Sequence, residues 1–180
     1  VGLEATEMRI SLAQLGRWSG FVRFRSSRAE DILNAEREGR SLQAVREEWG
    51  VDSKGFDRLR GILEIQKPSL VRKLMMRALA GAAADSELGG GNETMGESDY
   101  MKARDFARAL VPEDLVTELM QGVMNDARRQ AAGPLRNAIL TVAERLRRRR
   151  HFDAKALAQL WHEACPGPWH GLGKIQSSDQ

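Results

Sequence analysis

The chain has 180 residues, 28 Lys and Arg against 25 Asp and Glu, a pI near 9.3 and one cysteine. A single cysteine excludes an internal disulfide framework, and no apolar run approaches the roughly 20 residues that cross a bilayer. The expectation is an intracellular protein without a membrane anchor, with enough chain for one ordinary domain or two small ones.

Apolar residues recur at three- and four-residue steps in window after window, while aromatics are only 6% of the chain. The pattern predicts an all-α fold, a helical bundle of about seven to eight helices in two halves joined by a Gly-rich linker, with no strands. Residues 1–28 form a basic N-terminal segment. Within it, Met8 to Arg28 carries five Arg, four Ser and no Asp or Glu, a composition that resembles a mitochondrial transit peptide. It implies the mitochondrial matrix in a eukaryote; otherwise the expectation is bacterial cytoplasm, with the segment a basic amphipathic helix and loop of the fold.

Residues 29–82 form the first helical half. Ser41 suits an N-cap, Leu42, Val45 and Trp49 make an apolar stripe, and Gly50 stands where a helix ends in a left-handed residue. Ser53 then caps a second helix whose inward face is Phe56, Leu59, Ile62 and Leu63. This is helix-turn-helix spacing, and Lys54, Asp57, Arg58 and Arg60 are expected on its outer face, within reach of phosphates and base edges. Residues 83–99, with a Gly triplet among small and acidic residues, read as a solvated linker.

Residues 100–165 form the second half. One helix starts near Pro112 and carries Leu115, Val116, Leu119, Met120 and Val123. The next follows Pro134 with Leu135, Ala138, Ile139, Val142, Ala143 and Leu146, and the last runs from an Asp153 N-cap through Leu157, Leu160 and Trp161. The CPGPW run ends it, and residues 166–180 form a tail.

The run LRGILEIQKPSLVRKLM, after the predicted turn, resembles the segment that follows the helix-turn-helix in the central domain of ParB-type partition proteins. There a leucine-rich helix meets a proline before the next helix. Over residues 29–75 the resemblance implies a DNA-binding module with residues 53–60 as its reader.

Charge is distributed unevenly. Lys and Arg against Asp and Glu number 15 to 11 in residues 1–80, 3 to 10 in 81–126, and 10 to 4 in 127–180. Arg outnumbers Lys 22 to 6, so this charge survives at any working pH. A second basic candidate is the run ERLRRRRH, in which Arg145, Arg147, Arg148, Arg149 and Arg150 surround a helix end and suit phosphate. A solvated helix end, favoured by the dipole, is the bland alternative.

Enzymatic chemistry finds little footing. His162, Cys165 and His170 crowd one stretch, but a second cysteine and a fourth metal ligand are missing, and GGGNET lacks the lysine and spacing of a phosphate loop. Met75, Met76, Met120 and Met124 suit core filling, and the four tryptophans suit anchoring. The expectation is a non-enzymatic protein with no metal or cofactor. It binds nucleic acid, DNA ahead of RNA, through Lys54, Arg58, Arg60 and the Arg145–Arg150 cluster. The alternative is a helical assembly subunit or adaptor, in a mitochondrial complex among other settings, whose basic face docks on acidic protein. No membrane partner is expected, and a homodimer is compatible with either reading.

Overall fold

The computed structural model describes residues 4–12, 18–25, 27–89 and 97–164. It is predominantly helical, with seven helices among the described residues. The expectation of no strands does not hold. Strand β1 (Glu4–Leu12) pairs antiparallel with β2 (Trp18–Arg25), Met8 opposite Val22 and Arg9 opposite Phe21. Its other edge pairs with β3 (His151–Asp153), so the sheet order is β2-β1-β3. The signal was present: Met8, Ile10 and Leu12 stand at every second position, as do Val22 and Phe24, the period of a strand rather than a helix. Most of the Met8 to Arg28 window is thus built into this sheet.

The chain forms two units, residues 28–136 and residues 1–27 with 137–180. This is not the expected division at the Gly-rich segment. The first unit holds α1 (Arg28–Arg37), α2 (Leu42–Glu48), α3 (Ser53–Leu88), α4 (Glu97–Arg108) and α5 (Glu113–Ala132). Residues 83–88, assigned to the linker from sequence, continue α3, and 97–99 begin α4; residues 90–96 lie outside the described residues. Helices from both sides of the segment pack together because each supplies the apolar cover of the other. Val71, Leu74, Met75 and Leu79 of α3 are fully buried, as are Ala103 and Ala107 of α4 and Val123 of α5.

Helix α3, 36 residues long, is the spine of this unit. The resemblance implied that its leucine-rich start would end before a proline, yet the helix runs on through Pro68. Pro68 faces solvent and denies the Glu64 carbonyl its usual donor, a penalty that burial of Leu63 and Leu70 on the opposite side offsets. The turn before α3 has Gly50 at φ +61°, as expected, but the cap is Asp52 rather than Ser53: its carboxylate accepts from the Gly55 N–H at 2.8 Å. A Cβ on Gly55 would meet that oxygen at 2.8 Å, which accounts for a glycine so near the helix start. Ser41 occupies the N-cap of α2 without a side-chain hydrogen bond.

The second unit holds the sheet, nearly all of α6 (Arg136–Arg149) and α7 (Ala154–Ala164). Leu146, Phe152 and Leu160 form its apolar cluster, with Val142, Ala156 and Leu157 packed against it. Asp153 caps α7 as expected, accepting from the Ala156 N–H at 2.8 Å. Cys165, Trp169, His170 and the whole 166–180 segment lie outside the described residues.

One charged pair is built into the first unit's core. Glu30 of α1 is only 5% exposed, and Arg77 of α3 donates to it with both terminal nitrogens, at 2.5 and 3.4 Å. Removing one partner of such a pair strands the other charge away from water. Arg77→Met is expected to lower unfolding free energy by about 3–5 kcal/mol. The double change Glu30→Leu with Arg77→Met should cost far less, as read by urea denaturation of the three proteins.

Candidate nucleic-acid interface

The fold sorts the charge. The 28–136 unit carries 17 Lys and Arg against 19 Asp and Glu, whereas residues 1–27 with 137–180 carry 11 against 6. Residues 1–27 and 137–180 therefore share one unit, because β1 from the first segment pairs with β3 from the last, while 11 of the 15 Lys and Arg in residues 1–80 belong to the other unit. Arg9 stands opposite His151 in that pairing, and His151 directly follows the arginine run.

Within the run, each arginine is held differently. Arg145 reaches Glu163 of α7 at 3.7 Å and Arg148 reaches Glu144 at 2.5 Å, both solvent-exposed pairs of little strength. The Arg149 guanidinium lies 5.2 Å from the Phe152 ring centroid, so packing on a buried aromatic orients it. Arg147 is exposed and makes no ion pair among the described residues. The sequence placed all of them on a helix, but α6 ends at Arg149, and Arg150 sits at φ +63° with its N–H donating to the Leu146 carbonyl at 2.7 Å. A left-handed arginine costs about 1 kcal/mol, and it turns the chain into β3. The last-turn position of Arg147, Arg148 and Arg149 also complements the negative end of the helix dipole.

The other predicted residues lie in the first unit. Lys54, Arg58 and Arg60 are all exposed and make no ion pair among the described residues. They do not share one face: at about 100° per residue Lys54 and Arg58 are neighbours, while Arg60 is about 160° from Arg58, beside the buried edge at Phe56. Ile62, expected inward, is 45% exposed. The lysine and the two arginines therefore form no single reading surface.

Several other cations of that unit are neutralised locally. Arg72 and Arg129 both pair with Asp126, holding its carboxyl below the ordinary carboxylate range. Arg108 and Arg104 donate to Glu113 and bring it down to about 2. A cleft of about 420 Å³ between α1, α3 and α4 offers no free charge either: Lys67 pairs with Glu36, Arg37 with Glu38, and Arg108 with Glu113.

Among the described residues no three His, Cys, Asp or Glu side chains gather as a metal would require, and no helix is long and apolar enough to cross a membrane. No protein family, curated protein or solved structure matches the chain. The class is set by what the geometry displays: a predominantly helical protein of two units, one with basic residues in excess of acidic ones.

Because the folded Glu113 carboxyl titrates well below its unfolded value, its pairing stabilises the protein above about pH 4.5 and is lost as pH falls toward 2. Glu113→Gln should flatten the fall of melting temperature between pH 5 and 2. A thermal melt series across that range checks it, with wild type losing more stability than the variant.

Proposed function

We propose that this protein is a non-enzymatic nucleic-acid-associated protein that holds a phosphodiester backbone through the arginines of its sheet-bearing unit. The observation that carries the reading is the surplus of basic residues, 11 against 6, in the unit where β1 pairs with β3, whereas the 28–136 unit is nearly balanced at 17 against 19. Arg145, Arg147, Arg148, Arg149 and Arg150 supply the contacts. Guanidinium groups suit phosphate oxygens by their fork geometry and fixed charge, and exposed ion pairs such as Arg148 with Glu144 exchange partners at little cost. The stacking of Arg149 on Phe152 reduces the freedom that binding would otherwise have to remove. A non-glycine residue in the left-handed region within the run is the kind of backbone strain that collects at functional sites.

The mechanism is counterion release. Each phosphate neutralised by Arg frees a condensed cation, so affinity falls steeply with salt. Fluorescence anisotropy against duplex DNA, single-stranded DNA and RNA, each titrated over several salt concentrations, tests it. Wild type should bind with a steep slope of log affinity against log salt, and the variant with Arg147, Arg148, Arg149 and Arg150 all changed to Gln should show a slope shallower by about three to four on a duplex. No binding at low salt, or an unchanged slope in the variant, would sink the reading.

A further inference from the structure

The start of α3 carries a surface that the phosphate reading does not use. Lys54, Arg58, Ile62 and Ile65 follow one another at four, four and three residues, so they fall within about 80° of one another on the helix. This is the side opposite Phe56, Leu63 and Leu70, which are buried. Ile62 is 45% exposed and Ile65 84% exposed. The two cations have no ion pair among the described residues, as is also true of Arg46, Arg60, Lys73 and Arg136, whereas Arg37, Arg40, Lys67, Arg72, Arg77, Arg104, Arg108 and Arg129 of the same unit pair with carboxylates. A helix that packs its inner face and then repeats isoleucine on its outer one, in line with two uncompensated cations, has the pattern of a surface awaiting cover.

We propose that this stripe of α3 docks an acidic amphipathic helix of a partner protein, its apolar residues on Ile62 and Ile65 and its carboxylates on Lys54 and Arg58. Charge complementarity selects this occupant. A second copy of the chain fits badly: two α3 helices crossing antiparallel about Ile62 and Ile65 would bring Lys54 opposite Lys73 of the partner subunit, and a parallel pair would set Lys54 opposite Lys54 of the partner subunit. Phosphate would neutralise the cations but leave Ile65 in water. The carboxylates Asp57 and Glu64 lie about a quarter turn to one side, which confines acidic residues of the partner to the Lys54–Arg58 line.

The probe is a labelled helical peptide of about 18 residues with Leu at three- and four-residue steps and Glu beside them, compared with the same peptide carrying Gln in place of Glu. Anisotropy with the full chain should show binding of the Glu peptide, weakened about tenfold or more in the Ile62→Ser, Ile65→Ser double variant. It should weaken similarly in the Lys54→Gln, Arg58→Gln double variant, and the Gln peptide should bind more weakly than the Glu peptide. All four positions are exposed, and circular dichroism melts will establish that the variants keep their fold.

The Arg147, Arg148, Arg149 and Arg150 to Gln variant should bind the peptide as wild type does, so the outcome is independent of the nucleic-acid reading. Failure of the Glu peptide to bind, or binding indifferent to both double variants, would overturn the proposal. So would a dimer in sedimentation that Ile65→Ser dissociates, which would assign the stripe to a second copy. Duplex DNA binding lost in Lys54→Gln, Arg58→Gln but kept in the isoleucine variant would assign it to nucleic acid.

Discussion

The pairing of β1 with β3 is the constraint on which the rest depends. Glu7, Met8 and Arg9 from the first residues of the chain align with Asp153, Phe152 and His151 near its end. This short ladder closes a loop of more than one hundred residues, a non-local contact whose entropy cost the flanking structure has to offset. Phe152 of β3 is buried with Leu146 and Leu160, which fixes that strand on its own helices. Everything between Arg28 and Arg136 is then an insertion that completes its own core.

That closure decides where charge goes. The 1–27 and 137–180 segments with their arginines fall in one unit, while several carboxylates of the other unit are held in ion pairs inside it. Asp126 with Arg72 and Arg129, Glu113 with Arg104 and Arg108, and Glu30 with Arg77 each tie two helices or two turns of the first unit. Most of these pairs are exposed and add little stability, the buried Glu30–Arg77 pair excepted. The result is one nearly balanced unit and one basic unit.

The long helix α3 shows how packing overrides local signals. Pro68 and Gly55 both disfavour helix, and each is tolerated for a different reason. Pro68 faces solvent opposite a continuous buried face, and Gly55 leaves room for the Asp52 cap. The same continuity leaves Ile62 and Ile65 outward, because a helix that buries positions 56, 63 and 70 must turn residues 62 and 65 away from that core.

The amino-acid sequence by itself determined the helices and several of their ends. The three- and four-residue apolar steps marked α5, α6 and α7, Asp153 marked the start of α7, Gly50 marked the turn before α3, and the arginine run was evident as it stood. These are local effects, governed by side-chain spacing and by which residues accept a left-handed backbone or cap an N–H. Only the tertiary structure decided the rest. A strand has no hydrogen bonds of its own, so β1 and β2 became visible only through their partners, despite the alternation of Met8, Ile10 and Leu12. The Gly-rich segment looked like a boundary because its composition is soft, but domain limits follow which apolar faces cover each other, and α3, α4 and α5 cover one another across it. The candidate site was legible as a list of arginines and illegible as a surface. Which cations are paired, which share a face, and which unit holds the surplus are facts of three-dimensional arrangement that spacing along one chain does not contain.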